Sequence, residues 1–140
     1  MTETLTSSPF TLDRSRIVLL PAGLGLRPLG IDPSFWATVA ERPELDDGRV
    51  LSVFDYQGDW TWWERHPLGD ELVYVLSGEV EFLLDDGDRK WSVELSPGTA
   101  AIVARGTWHS ARVPKPSTVL FVTPTPARTE HRNSDQPSVD

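Results

Sequence analysis

Between Gly58 and Gly78 the chain runs Gly-Asp-Trp-Thr-Trp-Trp-Glu-Arg-His-Pro-Leu-Gly-Asp-Glu-Leu-Val-Tyr-Val-Leu-Ser-Gly, the stretch that most restricts its fold. Its first half alternates, and in a β-strand residues two apart share a face. Trp60, Trp62, Glu64 and His66 are therefore expected on one side, with Thr61, Trp63 and Arg65 on the other. Residues 67–70, Pro-Leu-Gly-Asp, read as a turn because Pro fixes φ and Gly tolerates φ > 0. The chain then re-enters an apolar strand that opens with Glu71. Two indoles line one wall, and two carboxylates and an imidazole are expected to meet at one hairpin end.

The flanking chain has the same short-strand character. Residues 1–15 are rich in Thr and Ser and read as a flexible arm, and 16–20 as a short strand closed by Pro21 and a glycine-rich stretch. Asp32 and Pro33 ahead of 34–40 supply an N-cap and a proline at the first helical position, which predicts one short helix ending before Pro43. Residues 49–56 form a strand with Val50, Ser52, Phe54 and Tyr56 on one face. In 71–77, Val73 and Val75 share a face with Glu71, while Leu72, Tyr74 and Leu76 make the opposite face apolar too, as in a strand covered on both sides.

Strands are expected over 79–84 and 90–95, joined by a turn at 85–88, and then over 99–104, 108–113 and 118–123. Many short strands separated by Gly, Pro and Asp turns predict an antiparallel sandwich or barrel. The domain is expected over 16–127, followed by a flexible tail over 128–140, in which His131 has no assigned role.

A chain of 140 residues suits one domain. A net charge of −8 argues against nucleic acid or an anionic membrane as partner, since both need clustered Lys and Arg. No apolar run reaches the roughly 18 residues of a membrane span. With no cysteine there is no disulfide framework or thiolate chemistry. These features predict a soluble, cytoplasmic protein.

Gly58, His66, Glu71 and Gly78 fall in the register Gly-X5-His-X-His-X4-Glu-X6-Gly, with Glu64 at the first His position. Gly98, Gly106 and His109 fall in the register Gly-X5-Pro-X-Gly-X2-His-X3-Asn, with Ala104 at the Pro and Val113 at the Asn. In this, residues 45–125 resemble the cupin superfamily, and the small single-domain bacterial type in particular. The resemblance implies an all-β, antiparallel jelly-roll barrel, with Glu64, His66, Glu71 and His109 at the metal-ligand positions inside it. It also implies a homodimer, for which the two-sided apolar strand 72–76 supplies a surface.

Two imidazoles and two carboxylates suit one divalent transition ion, Fe, Mn, Ni, Co or Zn, and the lack of sulfur ligands disfavours Cu(I). Glu64 has three readings: a fourth ligand, a general base beside a three-ligand metal, or a relic in a chain that has lost its metal. Without a cation, two close buried carboxylates would repel. Trp60 and Trp62 are either core aromatics or, with Tyr56, the walls of a small-molecule pocket.

The resembled superfamily includes dioxygenases, decarboxylases, isomerases, lyases, cyclases and non-catalytic binding proteins, and fold alone cannot choose among them. The expectation is a metal-dependent cupin acting on a small organic substrate, with dioxygenase-, isomerase- or cyclase-type chemistry and Glu64 as the catalytic residue. The alternative is a non-catalytic module that binds or senses a metabolite or a metal.

Overall fold

The computed structural model describes residues 8–133; its strands between residues 49 and 124 follow the alternation of the sequence, while those at 27–30 and 130–133 lie where the sequence predicts none. Eleven strands run in chain order: β1 (Arg16–Leu20), β2 (Arg27–Gly30), β3 (Arg49–Tyr56), β4 (Trp62–Arg65), β5 (Glu71–Ser77), β6 (Val80–Asp85), β7 (Lys90–Leu95), β8 (Ala100–Val103), β9 (Trp108–Arg112), β10 (Ser117–Pro124) and β11 (Glu130–Asn133). They form two sheets, ordered β2-β1-β3-β10-β5-β8 and β11-β4-β9-β6-β7. Every pairing among the described residues is antiparallel, giving the expected jelly-roll barrel.

The core lies between the sheets. Val73 and Val75 of β5 and Val119 and Phe121 of β10 face Val80, Phe82 and Leu84 of β6 and Ala111 of β9. Alternation decides which residues these are, since Glu71, Val73 and Val75 are buried while Leu76 is exposed. A second cluster, Ile17, Leu29, Phe35, Leu45 and Val50, packs the 31–46 segment onto β1, β2 and β3.

The short helix expected over 34–40 does not form. The segment folds as successive turns and two 3-10 helices, Val39–Glu41 and Pro43–Asp46. Its hydrogen bonds step by three residues, from Phe35 N to Asp32 O, Thr38 N to Phe35 O and Glu41 N to Thr38 O. Two side chains explain this. Asp32 caps the Ser34 N–H and hydroxyl as an Asx turn, and the Thr38 hydroxyl donates to the carbonyl of Ser34, four residues back.

Residues 67–70 are a turn, but β4 and β5 belong to opposite sheets, so the turn crosses the barrel mouth instead of closing a hairpin. Gly78, at φ +85°, makes a tight turn where an added Cβ would lie 2.1 Å from Ser117 Oγ. After β10, Thr125 takes a left-handed conformation (φ 37°), a 3-10 turn follows at Pro126–Arg128, and β11 pairs along β4. On the outer face Arg132 lies over the rings of Trp63 and Trp108, and Arg65 lies over Trp108 and pairs with Glu130, which fastens β11 to the barrel. No helix among the described residues is long and apolar enough to cross a membrane. Of the arm expected over 1–15 and the tail expected over 128–140, residues 130–133 form β11, and residues 1–7 and 134–140 lie outside the described residues.

Candidate metal centre

The side chains of Glu64, His66, Glu71 and His109 converge at one end of the barrel, each offering a ligand atom within 4.8 Å of the others. Glu64 comes from β4, His66 from the residue just past it, Glu71 from the first position of β5, and His109 from β9. Both sheets therefore contribute. Glu64 and His109 are direct cross-strand partners, which puts both on the inner face of their sheet. Two loops are tied together beneath them: Gly106 N–H donates to His66 O at 3.0 Å, and Arg105 N–H to Asp70 Oδ1 at 2.8 Å. Gly106 does this at φ +78°, a reason for glycine at that position.

Each of the four groups has one polar atom held from outside and another turned inward. His109 Nδ1 lies 3.2 Å from the Thr107 carbonyl, which can only accept, so Nδ1 carries a proton and Nε2 is the ring atom turned to the centre, bare whenever the ring is neutral. His66 Nδ1 is 3.0 Å from Thr129 Oγ1. The Thr123 hydroxyl donates to Glu71 Oε2 at 2.7 Å, and Trp62 Nε1–H donates to Glu64 Oε1 at 2.9 Å. This outer layer is what oriented metal ligands require.

The groups approach closely at the centre, and there Glu71 uses both oxygens, Oε2 while it also accepts from Thr123. His66 Nε2 is 3.2 Å from Glu71 Oε2 and 3.5 Å from Glu64 Oε2, and His109 Nε2 is 3.1 Å from Glu71 Oε1 and 4.0 Å from Glu64 Oε2. Metal–ligand bonds of about 2.1 Å set neighbouring ligand atoms roughly 3.0–3.4 Å apart, so the two Glu71–imidazole spacings match a shared ion, while Glu64 stands somewhat farther off. His66 Nε2, His109 Nε2 and Glu71 Oε1 are nonetheless buried without a partner in hydrogen-bond geometry. Buried polar atoms are seldom left so, and a divalent cation would satisfy all three at once.

The electrostatics agree. Burial alone would raise the Glu71 carboxyl, but the charge of His66 and contacts with both imidazoles outweigh it and hold the group well below the usual carboxylate range. For His109, burial disfavours the charged ring, yet the Glu71 and Glu64 carboxylates shift it upward. Two anionic groups thus draw positive charge into a place with almost no solvent, where His66, Glu71 and His109 are each at most 3% exposed. The donor set fits a divalent transition ion.

Beside the centre opens a cavity of about 530 Å³. Trp60, Trp62, Glu64 and His66 all line it, as the alternation predicts, and so does Tyr56. The indoles of Trp60 and Trp62 stack at 4.8 Å and 8°. Phe54 and Tyr56 stack at 6.1 Å and 26°. The sequence reading missed Thr123 and Thr129, which contact the candidate ligands Glu71 and His66, and Arg14, Trp36 and His131, which also line the cavity. His131 sits opposite Glu64 across the β11–β4 pair. Alternation within 130–133 could have placed His131 on the Glu64 face, but only once β11 is known to pair with β4.

Comparison with known proteins accords with this architecture. The sequence matches the family model described as "Cupin domain" over residues 50–123. No curated protein matches it. Among solved structures, a cupin-2 domain containing protein from Shewanella frigidimarina is 17% identical, with 54% of this chain and 70% of that one covered and a TM-score of 0.46. Hydroxypropylphosphonic acid epoxidase from S. wedmorenis is 21% identical over 54% of this chain and 43% of that one, with a TM-score of 0.47. Oxalate decarboxylase from Lactobacillus farciminis is 14% identical, covering 61% of this chain and 26% of that one, with a TM-score of 0.53. With a family model that spans both ligand motifs and a jelly roll that brings them together, the chain belongs to the cupin-domain family.

Proposed function

We propose that this chain is a metal-dependent cupin in which Glu64, His66, Glu71 and His109 hold one divalent transition ion beside a pocket for a small organic substrate. The observation that carries this is the set of four convergent groups, each anchored on its outer atom, with three buried inward atoms left without partners. When bound, such an ion supplies Lewis acidity and, if it is iron, manganese or cobalt, redox chemistry as well, which suits dioxygenase-, isomerase- or cyclase-type reactions.

The chain's own residues have distinct parts. Glu71 is the deeper and more tightly placed carboxylate, within 3.1–3.2 Å of both imidazoles. Glu64 is partly open to the cavity and sits farther away, at 3.5 and 4.0 Å. It is therefore the ligand best placed to loosen and accept or return a substrate proton, and the hydrogen bond from Trp62 keeps its carboxylate aimed while it does so. Tyr56 offers a phenol held in its protonated form by burial and by the charges of Glu64 and Glu71. Trp60 and Trp62 form an apolar wall that limits water at the site.

A second reading has its own support. Four protein ligands complete a tetrahedral shell, so zinc here would be closed to substrate and would make the chain a binding or sensing module. A six-coordinate ion would keep two positions open. Elemental analysis of the purified protein beside Glu64→Ala and His109→Ala tests the proposal. About one equivalent of a divalent transition metal, lost with His109→Ala, is expected. No metal in any preparation, even after reconstitution, overturns it.

A further inference from the structure

The cavity beside the metal centre also carries unspent hydrogen-bond donors and one cation. Trp36 Nε1 and Trp60 Nε1 are buried without an acceptor, and both residues line the cavity. An orphaned buried N–H is costly, so these groups await an acceptor that the chain does not supply. Arg14 is the only Arg or Lys among the described lining residues. Its guanidinium donates to the Asp55 carbonyl, which holds it at the cavity, and no carboxylate among the described residues pairs with it. The rest of the wall is largely aromatic: Phe54 and Tyr56, the Trp60–Trp62 stack, Trp36 and Phe121.

We propose that the cavity takes a planar aromatic acid, its ring held against the Trp60–Trp62 and Phe54–Tyr56 stacks and its carboxylate paired with Arg14. The charge balance rests on the metal reading given above. Glu64 and Glu71 together offset one divalent ion, and Arg14 remains as a single positive charge to be met by a single negative one. A guanidinium presents a planar fork that matches a carboxylate. Flat aromatic walls favour a flat ring over a puckered one. The volume is within the roughly 300–1,000 Å³ usual for small-molecule sites.

Isothermal titration calorimetry on the full chain tests this with 2-naphthoate and benzoate, the neutral amide benzamide, and the non-aromatic cyclohexanecarboxylate, metal content being read on the same samples. The aromatic acids should bind at least about tenfold more tightly than benzamide and cyclohexanecarboxylate. Arg14→Gln should remove that preference for the acids without altering benzamide binding or the melting temperature, and Arg14→Lys should restore it in part. Equal binding of benzoate and benzamide, or an Arg14→Gln protein that keeps the preference, overturns the inference. With metal present and no preference, this inference fails and the metal reading stands. With an Arg14-dependent preference but no metal, the inference stands and the metal reading fails.

Discussion

Thr129 Oγ1 lies 3.0 Å from His66 Nδ1, joining two residues 63 positions apart, and that contact turns the opposite ring nitrogen toward Glu71 and Glu64. A hydroxyl from the segment between the 3-10 turn and β11 thus sets the orientation of a candidate metal ligand. Thr129→Val keeps the shape and removes the partner, so affinity for a divalent ion should fall about 10- to 100-fold, while Thr129→Ser should retain most of it. Competition against a chelator of known affinity measures this. Equal affinity in the wild-type and Thr129→Val proteins would mean that the contact does not position His66.

Metal removal should destabilise the fold, because Glu64 and Glu71 then face each other across a site with little water. An ion at 100 times its dissociation constant adds about 2.7 kcal/mol, a shift of several degrees in Tm. Scanning calorimetry of chelated protein with added Mn, Fe(II), Co, Ni or Zn should show that rise. His109→Ala should abolish it. A Tm that none of these ions moves contradicts the shared site.

Burial first, then the charges of Glu64 and Glu71, raises the Tyr56 phenol well above its ordinary 10.0. The sign follows from linkage: above about pH 10 the unfolded chain has lost this proton while the folded chain keeps it, so stability falls as pH rises through that range. Ultraviolet titration of folded protein should show the Tyr56 phenolate missing at about pH 10–11, and Tyr56→Phe should lessen the alkaline loss of stability. A full two-tyrosine step at about pH 10 in the folded state contradicts this.

Gly78 occupies φ +85°, with Ser117 Oγ 2.1 Å and Pro116 O 2.6 Å from the position of an added Cβ. Pro116 O and Ser117 Cα, each 2.6 Å from that position, are backbone atoms and cannot swing aside. Gly78→Ala should cost at least about 2 kcal/mol in a denaturant titration. The same change at Gly87, where nothing lies within 4 Å of the added carbon, should cost less.

The outer face of the larger sheet carries two apolar rows, Ile102, Leu72 and Val122 in one and Ala100, Tyr74 and Leu120 in the other. Ile102 is 63% exposed. We propose this face as the contact of the homodimer expected from the sequence, since exposed contiguous apolar surface of this kind marks interaction sites. Light scattering at micromolar concentration should give twice the chain mass, and Tyr74→Glu with Ile102→Glu should halve it. A monomeric wild-type protein rules the contact out.

Much of the site was legible because alternation is a local property. The two-residue period put Trp60, Trp62, Glu64 and His66 on one face, and Glu71 with Val73 and Val75 on another, wherever the strands came to lie. The segment over 34–40 misled for an equally local reason: Asp32 and Pro33 are helix-start residues, but Asp32 also closes an Asx turn, and Thr38 competes for the carbonyl a helix would use.

By itself, then, the sequence determined the alternation of the central strands, their turn positions and the four candidate ligand residues. The tertiary structure alone decided how they meet. It placed β4 and β5 in opposite sheets, so that the carboxylates converge across the barrel and not along a hairpin. It also folded β11 onto β4, bringing Thr129 to His66 and His131 to the cavity, and docked Arg14 beside the aromatic wall. The physical reason is range. Alternation and turn chemistry act over a few residues, whereas strand order and the polar partners of buried ligands depend on which distant surfaces bury each other, and no local pattern records that.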